Sequence, residues 1–240
     1  MESFELYGVK FKRLTEERAL GLMAEALKGK TPLRVFTPNL EMLSAAAVCP
    51  SVRDLLLEAD LLLPDGIGIA LLCRRNGITP PPRLTGIDTA LELLKYAAEN
   101  GNSVYLLGGK PSVALRAAEG LRSQLPDLLL CGTHHGYFDT SSDSYENDMV
   151  LRDINSHSPS ILLVCMGFPR QEEWIIQNAH KLPSVRIFMG LGGSLDVWSG
   201  DLRRAPRWIQ KMRLEWLWRC ILQPSRIPRL FKSAFRFVFS

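Results

Sequence analysis

Short apolar runs alternate with helix-like stretches along most of the chain, and this alternation constrains the fold more than any other feature. The runs are apolar at successive positions, as in a parallel sheet that helices cover on both faces. The predicted strands are Leu33–Phe36, Leu61–Leu63, Ser103–Leu107, Leu128–Cys131, Ile161–Cys165 and Arg186–Met189. The predicted helices are Glu16–Lys28, Leu40–Ala47, Ile67–Asn76, Ile87–Asn100, Ser112–Gln124, Ser144–Ser156 and Gln171–His180. The pattern predicts an α/β fold, a Rossmann-like parallel sheet sandwiched by helices.

Most of the predicted strands are followed by polar or glycine-rich residues. These segments are Thr37-Pro38-Asn39, Pro64-Asp65-Gly66, Gly108-Gly109, residues 167–172 and residues 190–194. In parallel α/β sheets, ligands bind beyond the carboxyl ends of the strands. We therefore expect an active site at this edge of the sheet.

Asp65 follows the second predicted strand, within Leu-Pro-Asp-Gly. At the edge of a sheet its carboxylate is placed to act as a general base on an incoming hydroxyl. An Asp-Gly pair is equally typical of a turn, so the position alone leaves both interpretations open. Thr37 and Asn39 pose a similar choice between contacting a ligand and capping the next helix, and for Asn39 capping is the simpler interpretation.

Two glycine pairs, Gly108-Gly109 and Gly192-Gly193, would let backbone amides approach a diphosphate, or would simply permit tight strand-to-helix turns. Neither pair lies in a G-x-G-x-x-G or Walker sequence. Gln171 is placed to hydrogen-bond a sugar or a nucleotide. Alternatively, it belongs to the first turn of a helix that Pro169 opens.

The sequence contains no pattern of metal ligands. His134 and His135 are adjacent but have no partners at metal-ligand spacing, and no Asp-x-Asp pair occurs. We therefore expect neither a metal nor another cofactor. A leaving diphosphate would then need cationic side chains for its stabilisation.

The C-terminal part of the chain differs from the rest in charge. Residues 201–240 carry ten Lys and Arg against two acidic residues, a balance of +8 in a chain whose net charge is +4. We therefore divide the chain into a core, residues 1–200, and a basic appendage, residues 201–240. From Ile227 onward, apolar residues follow the spacing of a helical stripe, with basic residues beside them.

Three interpretations of the appendage follow from its composition: an amphipathic element on an anionic membrane surface, an arm for nucleic acid, or a helix that packs on the core. Phe231, Phe235, Phe237 and Phe239 favour the membrane, because binding of phosphates does not need so many apolar side chains. We expect no nucleic-acid partner. A homo-oligomer that covers the apolar stripe in solution is a further expectation that the sequence leaves open.

The sequence also bears on the compartment. Five scattered cysteines without a Cys-x-x-Cys pair argue against a disulfide framework and for a reducing environment. The N-terminus lacks the basic start and apolar run of a signal peptide. No stretch of about 20 apolar residues exists to span a bilayer. We expect a cytoplasmic protein that is peripheral on the inner face of the cell membrane.

A series of short motifs, in this order and spacing, resembles the bacterial glycosyltransferases of family 26, the WecG/TagA/CpsF type. The motifs are Thr37-Pro38-Asn39, Pro64-Asp65-Gly66, Arg83-Leu84-Thr85-Gly86, Leu107-Gly108-Gly109, Gly136-Tyr137-Phe138, residues 167–172, Gly192-Gly193 with Asp196, Arg204-Ala205-Pro206, Leu214-Glu215-Trp216 and Pro224-Ser225-Arg226. Each motif is weak by itself. Together they span nearly the whole chain and are highly specific.

The resemblance implies an inverting, metal-independent transfer of a sugar, with N-acetylmannosamine favoured, from a UDP-sugar to undecaprenyl-diphosphate-linked N-acetylglucosamine in cell-surface polymer synthesis. It implies that Asp65 is the catalytic base and that Thr37, Asn39, Arg83 and Gln171 lie in the active-site pocket. The remaining residues of the predicted substrate site are Gly108, Gly109, Tyr137, Gly192, Gly193 and Asp196, with Arg219, Arg226 and Arg229 closing over the diphosphate from the appendage.

Alternatives remain for the substrate and for the class of protein. Glucose or N-acetylmannosaminuronic acid is the alternative donor sugar, since similar enzymes serve capsule and exopolysaccharide synthesis. A non-catalytic module that binds a nucleotide or nucleic acid, or an inactive scaffold in a polymerase complex, would also be compatible with the basic appendage.

Overall fold

The computed structural model describes residues 2–212 and 214–224. Their strands are β1 Ser3–Leu6, β2 Val9–Lys12, β3 Leu33–Phe36, β4 Leu61–Leu62, β5 Val104–Gly108, β6 Leu130–His134, β7 Ile161–Cys165 and β8 Ile187–Gly190. Their helices are α1 Glu16–Lys28, α2 Leu40–Ala46, α3 Pro50–Leu57, α4 Ile67–Arg75, α5 Gly86–Glu99, α6 Val113–Gln124, α7 Tyr145–His157, α8 Arg170–Asn178, α9 Ser194–Trp198, α10 Arg207–Lys211 and α11 Glu215–Leu222.

Within this part of the chain, β3 to β8 form a six-stranded parallel sheet in the order β4-β3-β8-β7-β5-β6. The predicted α/β architecture is thus confirmed. The carboxyl ends of the strands meet at one edge of the sheet, where the polar and glycine-rich segments were expected to gather.

Successive side chains of each strand point to opposite faces of the sheet, and this alternation divides the core into two layers. One layer packs β-strand residues such as Leu106, Leu163 and Met189 against α1, α5, α6 and α9. The other packs Leu107 and Phe188, among others, against α2, α3, α4, α7, α8 and the β1–β2 hairpin. Both faces of the sheet are covered, which is why its strands read as continuous apolar runs.

The strand bounds differ from the prediction most clearly at β6. The sequence predicted Leu128–Cys131, whereas the strand is Leu130–His134. Among the described strands, β6 lies at the edge of the sheet beside β5. Most of its residues are only half-buried, so an apolar run does not mark it clearly. The exposed Leu129 belongs to the turn before the strand.

Residues 201–212 and 214–224 contact the core through ion pairs and a few buried apolar side chains. Arg204 pairs with Asp88 of α5 at 2.5 Å, and Arg116 of α6 pairs with Asp201. Arg83 donates to Glu215 at 2.6 Å. The basic appendage therefore begins as a segment that is tied to the core, and its predicted amphipathic stripe, Arg226 and Arg229 lie outside the described residues.

Candidate active site

A cleft of about 550 Å³ lies beyond the carboxyl ends of β5, β6, β7 and β8. It is lined by Gly109, Lys110, Gly136, Tyr137, Cys165, Met166, Gly167, Arg170, Gly192, Gly193, Asp196, Asp201, Leu202 and Gln223. The helices after β5 and β8 pack on one face of the sheet, whereas the helix after β7 packs on the other. Diverging connections of this kind open a crevice at the strand ends, the usual ligand position in such sheets.

Gln171 joins two loops that form this cleft. Its Oε1 accepts hydrogen bonds from the backbone amides of Gly167, at 3.2 Å, and Gly192, at 2.9 Å. The loops follow β7 and β8 respectively, so one buried side chain fixes their separation. Gln171 lies in the first turn of α8 and serves the cleft from behind rather than lining it.

Glu172 lies beside Gln171 and is completely buried, at 0% exposure. Its Oε1 accepts from Gln171 Nε2 at 2.8 Å, while its Oε2 has no hydrogen-bond partner among the described residues. Burial raises the pKa of the Glu172 carboxyl to about 7. The bond to Glu172 fixes which end of the Gln171 carboxamide faces the two loop amides.

Arg170 holds the loop after β6 by donating to the carbonyls of Gly136, at 2.6 Å, and of Phe138. Its guanidinium also lies over the Phe138 ring, 5.7 Å from the centroid. Between these two contacts, Tyr137 is 63% exposed at the mouth of the cleft. An aromatic ring in this position can stack on a planar ligand group.

The glycines of the first pair are required by close packing of the loops. A Cβ on Gly108 would lie 2.2 Å from the carbonyl oxygen of Cys165. The Gly109 amide donates to that carbonyl at 3.0 Å, and its carbonyl accepts from Gly136 at 2.8 Å. The amides of Gly109 and Gly192 thus donate hydrogen bonds to other residues of the chain. Gly109, Gly192 and Gly193, which the sequence predicted for the substrate site, line the cleft.

A second group of predicted residues lies toward the other end of the sheet, after β3 and β4. Thr37 is buried and its hydroxyl donates to the Gly190 carbonyl at 2.9 Å, which links the residue after β3 to the last residue of β8. Asn39 caps α2 by accepting from the Met42 amide at 3.1 Å. The capping interpretation of Asn39 is therefore realised in the structure.

Asp65 follows β4 and is half-buried. Its amide donates to the Pro38 carbonyl at 2.8 Å, and it forms an isolated parallel bridge with Leu84. Its neighbours Pro64 and Gly66 line a groove of about 310 Å³, distinct from the cleft. The rest of this second groove comprises Ile67, Ile69, Ala70, Arg74, Pro80, Pro81, Pro82, Arg83, Leu84, Glu215 and Trp216.

Arg83 lines the second groove rather than the cleft and is engaged with the C-terminal segment. Its guanidinium donates to the Gln210 carbonyl at 3.2 Å as well as to Glu215. Arg219 belongs to α11. Arg226 and Arg229 lie outside the described residues, so their predicted role over a diphosphate stays a prediction.

Comparison with known proteins gives the family of this chain. Residues 4–240 match the profile of the Glycosyl transferase WecG/TagA/CpsF family. The chain belongs to this family. It is therefore a glycosyltransferase, as the order and spacing of the motifs predicted.

Two curated relatives of this family are both described as N-acetylglucosaminyldiphosphoundecaprenol N-acetyl-beta-D-mannosaminyltransferase. The one from Bacillus subtilis (strain 168) is 32% identical over 196 residues, which make up 82% of this chain and 74% of the relative. The one from Staphylococcus aureus (strain MRSA252) is 33% identical over 198 residues, 82% of this chain and 75% of the relative.

The sequence did not predict several residues that line the cleft of this WecG/TagA/CpsF family member. Lys110 and Arg170 lie two and five residues after the ends of β5 and β7, and their position after a predicted strand was a usable indication. Asp201 and Gln223 enter the cleft from the C-terminal segment. No local pattern marks them, because their position depends on contacts such as Arg116 with Asp201.

His134 is the last residue of β6, and His135 follows it, next to Gly136 and Tyr137 of the cleft. His134 Nδ1 lies 2.8 Å from the His135 carbonyl oxygen, and His135 Nδ1 accepts from the Tyr137 amide at 3.2 Å. Among residues 2–212 and 214–224, no group of three His, Cys, Asp or Glu is arranged to hold a metal ion.

Proposed function

We propose that this glycosyltransferase moves N-acetylmannosamine from UDP-N-acetylmannosamine to undecaprenyl-diphosphate-linked N-acetylglucosamine with inversion at the anomeric carbon. The observation that carries the proposal is the arrangement of one sheet edge. A polar cleft lies over β5 to β8, Asp65 lies beyond it after β4, and the Thr37–Gly190 bond connects the two. The acceptor and donor sugar are those in the names of the two relatives.

The cleft suits the nucleotide of the donor. Tyr137 offers an exposed ring for the base, and the carboxylate of Asp196 is of the type that accepts hydrogen bonds from ribose hydroxyls. Lys110 adds a positive charge beside the glycine-rich loops, where a diphosphate would lie. We assign the UDP moiety to this cleft.

Asp65 is the proposed general base. Its carboxylate removes the proton from the acceptor hydroxyl while that oxygen attacks the anomeric carbon and the bond from this carbon to the UDP oxygen breaks. One displacement gives the inverted glycoside, UDP and a protonated Asp65. Arg219, Arg226 and Arg229 are the proposed cations that stabilise the negative charge developing on UDP.

The C-terminal segment has the surface expected of a protein that works at a membrane. Trp208 of α10 is exposed, as are Met212 directly after it and Trp216 and Ile221 of α11, Ile221 at 65%. Arg203 and Arg207 are exposed beside them. Apolar side chains next to cations suit the interface of an anionic bilayer. Among the helices of the described ranges, none is long and apolar enough to cross a bilayer.

Product analysis with a panel of UDP-sugars tests the proposal. We expect acceptor-dependent release of UDP with UDP-N-acetylmannosamine. The product should be β-linked, as identified by the one-bond carbon–hydrogen coupling constant at its anomeric carbon. UDP-glucose or UDP-N-acetylmannosaminuronic acid as the better donor would replace the donor sugar in the proposal. An α-linked product would contradict inversion, if the donor is α-linked.

A further inference from the structure

The second groove presents an apolar helix face that is turned away from the core. Leu72 and Cys73 of α4 are buried in the core. Ile67, Ile69 and Ala70 line the groove with Arg74. Positions 67, 70 and 74 lie on one side of a helix. This side therefore offers apolar contact along its length and a cation in its last turn.

Another part of the lining is apolar. Pro80, Pro81 and Pro82 form it together with Trp216 of α11. Because proline has no amide hydrogen, this stretch of backbone cannot donate to a ligand. Such a wall suits a hydrocarbon better than a sugar or a nucleotide.

The lining of the groove varies in chemistry. Pro64 and Gly66, on either side of Asp65, belong to it. Arg74 lies seven residues after Ile67, which is about 10 Å along a helix. Trp216 belongs to α11, which also carries the exposed Leu217 and Ile221. The groove thus combines the loop of the proposed base, a cation and apolar side chains.

We propose that this groove binds the acceptor as a polyprenyl diphosphate. The acceptor sugar lies at Asp65, the diphosphate at Arg74, and the first isoprenoid units between the prolines and Trp216. Arg83 lines the same groove but is paired with Glu215, so the diphosphate contact is assigned to Arg74. The inference rests on the proposed function, since it names the place of that function's acceptor.

Binding of nanodiscs that contain undecaprenyl-diphosphate-linked N-acetylglucosamine tests the proposal. We expect Arg74→Ala to weaken binding about tenfold, the usual scale for a lost charge-assisted hydrogen bond. Ala70→Trp, which fills the groove, is expected to weaken it at least as much. Arg75→Ala is the matched control, because Arg75 is the next residue of α4 and is not among the described residues that line the groove.

A short-chain acceptor separates the groove from the rest of the enzyme. Ala70→Trp should raise the KM of the undecaprenyl acceptor more than that of an analogue with a single isoprenoid unit, with UDP affinity unchanged. Equal binding by wild type and both variants would overturn the groove proposal. Failure of the proposed function is a different result, in which wild type binds the acceptor lipid yet transfers no sugar from any donor.

Discussion

Burial raises the pKa of Glu172 to about 7, from a usual value of 4.5. Because the folded state holds this proton more tightly than the unfolded chain, the stabilisation is complete below pH 4.5 and is lost as the pH rises through 7. Replacing Glu172 by Gln removes this titration but keeps an oxygen that can accept from Gln171.

Relative to Glu172→Gln, we expect the free energy of unfolding of the wild type to fall by on the order of 3 kcal/mol between pH 4.5 and pH 8. Denaturant unfolding at both pH values measures it. Glu173→Gln is the control, since Glu173 is exposed on the same helix. Parallel stability curves for wild type and Glu172→Gln would contradict the raised pKa.

Gln171 is expected to act through the two loops that it joins. Gln171→Ala leaves the half-buried amides of Gly167 and Gly192 without their acceptor. Each loss costs at most about 1–3 kcal/mol, the range for a fully buried group. We predict a UDP affinity at least tenfold lower, measured by calorimetry. Unchanged UDP affinity in a folded variant would show that the separation of the loops does not matter for the nucleotide.

The sequence could place the residues after each strand, because the carboxyl ends of parallel strands must share one edge. It could not separate Asp65 and Arg83, which adjoin the second groove, from Tyr137 and Asp196, which line the cleft. That distinction depends on the order of strands in the sheet. In the described part of the chain, β4 forms one edge of the sheet, beside β3, and β6 forms the other edge.

At the scale of elements, the buried strands were predictable because burial on both faces gives a continuous apolar run. The long helices were predictable because burial along one stripe gives a periodic apolar pattern. The β1–β2 hairpin, α3 and α9 were missed. The hairpin is held by pairs such as Phe4 with Phe11, at 5.1 Å between ring centroids, and α9 has only five residues. Elements this short depend on tertiary contacts that a local pattern does not contain.

Arg204 connects two elements, since it pairs with Asp88 of α5 at 2.5 Å and lies 3.8 Å from Glu215 of α11. We predict that Arg204→Ala increases amide hydrogen exchange in α10 and α11 while β5, β7 and β8 keep their protection. Arg207→Ala, on the exposed side of α10, is the control. Equal protection of α10 and α11 in both variants would show that other contacts hold this segment.

At the scale of the whole molecule, the exposed apolar side chains of α10 and α11 are expected to contact the membrane. Replacing Trp208 and Ile221 together by Ser should lower binding to vesicles that contain phosphatidylglycerol, measured by co-sedimentation. Leu115→Ser is the control, since Leu115 is an exposed leucine of α6. Undiminished vesicle binding by the double variant would place the membrane contact elsewhere on the chain.

The most direct test of the account is the rate of sugar transfer by Asp65→Asn, with UDP-N-acetylmannosamine and the lipid-linked acceptor. The control is Asp54→Asn, because the Asp54 side chain is 69% exposed on α3. We predict a kcat lower by about 10² to 10⁴, the usual contribution of a general base, with UDP affinity retained in the cleft. A kcat for Asp65→Asn equal to that of the wild type and of Asp54→Asn would show that Asp65 is not the base.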